Sequence, residues 1–179
     1  LPVDGLKRSY RIYVPAHMAT PAPVLFALHG GGGSGGGMEL ITKAGFNRIA
    51  DREGAIIVYP DAVGRNWNDG RSEINSRASR ENLDDVGFLK AVLQAVAARY
   101  PVDTKRVFAT GISNGGFMSF RLACDAADTF LAVAPVAAGL SVDLGPRCQP
   151  QRPVSVAIMN GTEDPLVPYQ GGAITLPWG

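Results

Sequence analysis

Ser113 stands in Gly111-Ile112-Ser113-Asn114-Gly115, a G-x-S-x-G pattern followed by Gly116. A serine in that pattern acts as a nucleophile when a strand runs into it and a helix leaves it, because the sharp turn holds the hydroxyl out at the sheet end. His29-Gly30-Gly31-Gly32-Gly33 ends an apolar run and is the loop type whose backbone N–H groups bind an oxyanion. The candidate donors are the N–H groups of Gly31 and Asn114. Asn160-Gly161-Thr162-Glu163-Asp164-Pro165 offers a carboxylate after the last apolar run. Asp164, shorter than Glu163 and set before Pro165, is the preferred orienter of a catalytic base.

The base itself is the difficulty. In this arrangement the order along the chain is serine, acid, histidine. The only two histidines, His17 and His29, both precede Ser113. His29 is expected to organise the glycine loop by hydrogen bonding, and His17 to sit in a solvent-exposed connection. No strand or helix pattern follows Gly172. The expectation is one domain over residues 1–179, cut before the histidine loop and lacking a last strand and helix, with the missing segment possible as a second chain.

Trp67 and Asn68 lie in the turn-rich Gly64–Gly70. They are candidates to contact the acyl or leaving group. Arg71, Arg77 and Arg80 alternate with Glu73 and Glu81 and read as a solvated face. No His/Cys/carboxylate spacing suits a metal, and no phosphate loop is present.

The elements that must position these residues follow from short apolar runs. Ser9–Val14 alternates and stops at Pro15; Val24–Leu28, Ala55–Tyr59, Arg106–Thr110, Phe130–Pro135 and Val154–Met159 are apolar on both faces, as in a buried parallel sheet. Asp84 and Asp85 open a helix whose stripe is Val86, Leu89, Leu93, Val96 and Tyr100, stopped by Pro101. Met38–Glu53, closed by Gly54, and Asn114–Asp125 are the other helices. Strands alternating with helices predict an α/β domain with helices on both faces of a mostly parallel sheet and a site beyond the strands' carboxyl ends. Asp61 follows one such strand. Seven glycines fall between Gly30 and Gly37, and Ser34–Gly37 reads as flexible surface loop.

Composition limits the alternatives. The chain is 46% apolar and 18% charged, with a net charge of +1. That is enough for a core and too little positive charge for a nucleic-acid surface. No run approaches the 18 apolar residues expected of a membrane span. The sequence starts at Leu1, which fits a removed signal peptide or a trimmed chain.

The motifs together resemble the polyhydroxybutyrate depolymerase and feruloyl esterase family of secreted α/β-hydrolases. The resemblance is carried by Leu28–Gly31, Tyr59–Asp61, Asp84–Leu89, Val102–Val107, Gly111–Met118, Asn160–Asp164 and Val167–Tyr169. It implies an α/β-hydrolase fold, a Ser113–Asp164–histidine triad, no cofactor, and hydrolysis of short-acyl, hydroxycinnamoyl or hydroxyalkanoate esters, small or polymeric. It also implies a secreted protein, in which Cys124 and Cys148 would form a disulfide. The glycine run is longer than the family pattern. Two rival expectations stand: a catalytically incomplete fragment or non-catalytic binding remnant, and a peptidase on the same scaffold.

Overall fold

Val24, Phe26 and Leu28 pack into one apolar cluster, while Leu25 and Ala27 pack into another. A strand with two buried faces must lie between two layers. The computed structural model describes residues 1–3 and 5–174. A short hairpin, β1 (Pro2–Val3) and β2 (Leu6–Lys7), precedes a six-stranded sheet. The sheet comprises β3 (Tyr10–Tyr13), β4 (Ala22–Leu28), β5 (Ile56–Pro60), β6 (Val102–Ile112), β7 (Ala132–Val136) and β8 (Ser155–Val156), in the order β3-β5-β4-β6-β7-β8. Within this sheet, among the described residues, only the β3–β5 pair is antiparallel. The segment after residue 174, where the sequence predicts no further element, lies outside the described residues.

The helices are α1 (Gly35–Ile41), α2 (Gly45–Glu53), α3 (Arg77–Arg80), α4 (Asp85–Ala97) and α5 (Asn114–Asp125). One face of the sheet is covered by α4 and part of α5, through Phe88, Leu89, Val92, Met118 and Leu122. There Phe26 and Phe130 meet edge to face at 5.5 Å. Met38 of α1 and Ala50 of α2 cover the other face over Ala27, Ile57 and Tyr59. No described helix is long and apolar enough to cross a membrane.

Two expectations are corrected here. The distal glycines are not a flexible loop. Ser34 caps α1, accepting from Gly37 N at 3.1 Å. Gly35 N donates to Asp61 Oδ1 at 2.8 Å, and a Cβ on Gly35 would lie 2.3 Å from the Tyr59 carbonyl oxygen. Only glycine lets this helix start against the end of β5. Nor is Met38–Glu53 one helix. Thr42 Oγ1 turns back to the Met38 and Glu39 carbonyls at 2.9 and 3.1 Å. Lys43 and Ala44 then take positive φ, 50° and 52°, which ends α1 before α2 begins.

The stripe of α4 is buried at Val86, Leu89, Leu93 and Val96, and Asp84 caps the helix by accepting from Gly87 N at 2.8 Å. Asp85, in the first turn of α4, is buried: Arg8 Nη2 donates to it at 2.6 Å and Asn68 N at 2.7 Å. The last expected strand is shorter than its apolar run. Beyond Val156 the regular pairing gives way to the isolated Val136–Met159 bridge, with Ala157 N donating to the Val133 carbonyl and Met159 N to the Pro135 carbonyl, both at 3.0 Å. Val156, Ile158 and Met159 are exposed at this sheet edge.

Cys124 and Cys148 are joined, with Cα atoms 4.8 Å apart and a sequence separation of 24. The bridge ties the end of α5 to the loop that contains the buried Leu144. Closing a loop of that length limits the unfolded chain by about 3 kcal/mol. A Cys124→Ala/Cys148→Ala variant is expected to lose stability of that order in urea unfolding. A loss below about 0.5 kcal/mol would contradict this entropic role.

Candidate active site

β6 delivers Ser113 to the carboxyl end of the sheet, and α5 starts at the next residue. Ser113 has φ 52° and ψ −120°, a strained backbone for a residue with a side chain. Its N–H donates to the Val136 carbonyl at 2.9 Å, and its side chain is exposed. Close packing enforces the turn: a Cβ on Gly115 would lie 2.5 Å from the Leu28 carbonyl oxygen and 2.6 Å from that of His29. Glycine there brings the ends of β4 and β6 together.

That approach places the two expected donors side by side. A Cβ on Gly30 would lie 3.7 Å from the Cβ of Ser113, and one on Gly31 would lie 3.8 Å from the Cβ of Asn114. Asn114 is the first residue of α5, so its N–H has no partner within the helix. Among the described residues, neither the Gly31 N–H nor the Asn114 N–H is taken by an acceptor. Two free N–H groups beside an exposed serine can hold an oxygen that gains negative charge.

His29 is buried and organises this loop. Its Nε2 accepts from Ala62 N at 3.1 Å, so the proton sits on Nδ1 and is donated to the Gly30 carbonyl at 2.7 Å. Both ring nitrogens are thereby engaged, and burial holds the ring's pKa below its ordinary value, against the raising effect of the Gly30 carbonyl. Because the folded pKa is depressed, this contribution to stability is complete above the unfolded value near 6.5 and is lost as pH falls through the lower folded value. The urea midpoint is therefore expected to drop on acidification below about pH 6.5, and His29→Gln should flatten that step. An unchanged step in His29→Gln would assign it to another group. His17 is exposed before β4, at the opposite end of the sheet from Ser113. A seven-residue strand, β4, separates the two ends by roughly 20 Å. Neither histidine is placed to act on Ser113.

Asp164 follows β8 at the serine's end of the sheet. Its Oδ1 accepts from Leu166 N at 2.9 Å and Val167 N at 3.0 Å. These bonds, that of Val167 foremost, hold its carboxyl below the usual carboxylate range. Val167 anchors the loop by packing with Phe117, Phe120 and Ala138, and Asn160 exchanges two hydrogen bonds with the Ala138 backbone at 3.1 and 3.0 Å. Oδ2 of Asp164 has no hydrogen-bond partner among the described residues.

Trp67 and Asn68 are corrected: neither lines the surface. Trp67 is fully buried, and its indole N–H donates to the His29 carbonyl at 2.9 Å. Asn68 is buried against Asn82 and Leu83 at 3.1 and 3.0 Å. Arg71 also departs from the expected solvated face. It pairs with the fully buried Asp69 at 2.6 Å and stacks 3.6 Å over the Phe117 ring. Arg77 and Glu81 do form an exposed pair. Asp61 holds the start of α1 and accepts from Ser9 Oγ at 2.9 Å. Asp69, absent from the sequence candidates, touches the site through Asn114 Nδ2 at 2.6 Å. Its one legible signal was the density of polar residues in Asn66-Trp67-Asn68-Asp69. Among the described residues, no group of three or more His, Cys, Asp or Glu could hold a metal ion.

The sequence profile of the esterase family, described as "Putative esterase", matches residues 5–172. "Putative esterase NocK" of Nocardia uniformis subsp. tsuyamanensis is 34% identical over 172 residues, covering 94% of this chain and 48% of the relative. Feruloyl esterase B of Piromyces equi is 32% identical over 157 residues, 84% of this chain and 28% of the relative. The chain thus spans about half or less of the length of these curated relatives. The native sOPH crystal structure superposes with a TM-score of 0.76 at 22% identity, over 97% of this chain and 70% of that one. That likeness concerns the fold.

Proposed function

We propose, since this chain belongs to the esterase family, that it carries the nucleophile, oxyanion hole and acid of a serine ester hydrolase acting on hydroxycinnamoyl or short-acyl esters. The observation that carries the reading is the strained, exposed Ser113 beside the free N–H groups of Gly31 and Asn114. Ser113 Oγ attacks the ester carbonyl carbon while a histidine takes its proton. The carbonyl oxygen becomes an oxyanion held by the two N–H groups. The C–O bond then breaks, the leaving alcohol takes the proton from the histidine, and water releases the acyl group by the same two steps. Asp164, ionised at neutral pH, orients the histidine and stabilises its charged form.

That histidine is neither His17 nor His29, because one is at the wrong end of the sheet and the other has both ring nitrogens engaged. The 179-residue chain by itself is therefore expected to turn over slowly, using binding and the oxyanion hole alone. This is the observation behind the second reading, a site that binds without efficient turnover. The named activity of feruloyl esterase B supports a hydroxycinnamoyl acyl group. The Cys124–Cys148 bridge supports export to an oxidising compartment.

The test is hydrolysis of methyl ferulate and p-nitrophenyl butyrate by the protein that carries this chain, beside the matching anilides. Cleavage of the esters with the anilides intact is expected. Cleavage of neither ester would overturn the reading, and preferential anilide cleavage would replace it with a peptidase.

A further inference from the structure

We propose that Asp69 is a positioning residue for the oxyanion hole, acting through Asn114; this rests on the esterase reading above. The segment Asn66–Asp69 lies between the two loops that supply the donors. A Cβ on Gly31 would lie 2.8 Å from Asn66 Oδ1. Trp67 Nε1 donates to the carbonyl of His29, two residues before Gly31. On the other side, Trp67 N donates to Asn114 Oδ1 at 2.7 Å, and Asn114 Nδ2 donates to the Trp67 carbonyl at 3.1 Å and to Asp69 Oδ2 at 2.6 Å. One segment, buried from Trp67 to Asp69, therefore sets the spacing between Gly31 and Asn114.

Every hydrogen-bonding atom of the Asn114 side chain is engaged, which fixes its rotamer and with it the direction of the backbone N–H next to Ser113. The bond to a carboxylate is the stronger kind, so Asp69 is the firmest of these restraints. A bare carboxylate near a forming oxyanion would oppose it. Arg71 offsets that charge: its Nε donates to both carboxylate oxygens at 3.1 Å, its Nη2 to Oδ2 at 2.6 Å, and its backbone N to Oδ1 at 3.1 Å. Asp69 is fully buried and does not reach the substrate, so it can act only through Asn114.

Asp69→Asn and Asn114→Ala, made in the protein that carries this chain, test the proposal. Asn114→Ala keeps the backbone donor and the Arg71–Asp69 pair, so it carries the test if Asp69→Asn does not fold. Kinetics with p-nitrophenyl butyrate are expressed per serine titrated by a fluorophosphonate, which removes any loss of folded protein from the result. Each variant is expected to lower kcat by about 10- to 100-fold with KM within about twofold, because the missing interaction matters only once the oxyanion forms. Affinity for a boronic acid, whose tetrahedral adduct fills the same hole, should fall in proportion. A kcat per titrated serine within about twofold of wild type in a folded variant would overturn the role of Asp69. A wild-type protein that neither titrates nor hydrolyses the ester would overturn the esterase reading, and this proposal with it.

Discussion

Replacing Ser113 by alanine is expected to lower kcat for p-nitrophenyl butyrate by on the order of 10^5- to 10^6-fold, the loss seen when a catalytic serine is removed. The side chain is exposed and its hydroxyl makes no hydrogen bond among the described residues, so its removal leaves no buried group unsatisfied. The strained φ of 52° is as awkward for alanine as for serine, and the urea midpoint should stay where it is. Loss of rate without loss of stability separates a nucleophile from a structural serine. Ser119 is the internal comparison. It is fully buried with Oγ bonded to the Gly115 carbonyl at 2.9 Å, and Ser119→Ala should leave the chemistry in place.

Arg8→Ala should produce the largest loss of stability. Arg8 Nη2 lies 2.6 Å from Asp85, with 3% and 0% of the two side chains exposed, and the guanidinium stacks 3.8 Å over Phe88. Taking away one partner leaves a carboxylate uncompensated in the core, at a cost of about 3 to 5 kcal/mol. The pair need not itself stabilise much, since Arg8 Nε is buried without a partner. The double variant Arg8→Met/Asp85→Leu is thus expected to recover most of the loss, short of the bond from Asn68 N to Asp85. Denaturant unfolding of the single and double variants checks both statements. A single variant within about 1 kcal/mol of wild type would show that the pair is not isolated from water. Asp85 also connects stability to the site, because Asn68 adjoins the Trp67 and Asp69 that hold Asn114. Hydrogen exchange at the Asn68 N–H should quicken in Arg8→Ala beyond the global change.

The strand–turn–helix setting of Ser113 was legible in the sequence because glycine spacing and apolar runs are local signals. So were the stripe of α4 and the cysteine partners, the latter through family resemblance. What could not be read was burial of polar residues. Trp67, Asn68 and Asp69 sit among turn formers and look like a surface loop, yet their hydrogen bonds reach Asn114, Leu83 and Asp85, far away in sequence. Arg71 looks solvated for the same reason, until Asp69 and the Phe117 ring are placed around it. The break between α1 and α2 lies at Lys43 and Ala44, whose positive φ ends α1, with the Thr42 hydroxyl turned back to two carbonyls beside it, features that apolar periodicity does not register. The glycines after Ser34 look flexible by composition, but Gly35 packs against Tyr59 and bonds Asp61, and Ser34 caps the helix they open through Gly37.

The nucleophile assignment is tested most directly by finding the atom that reacts. The protein carrying this chain, treated with a fluorophosphonate and digested with trypsin, should give one modified peptide, running from Val107 to Arg121. Fragmentation should place the adduct on Ser113 and leave Ser119 in the same peptide unmodified. An adduct confined to another residue, or none under conditions that label a known serine esterase, would contradict Ser113 as the nucleophile.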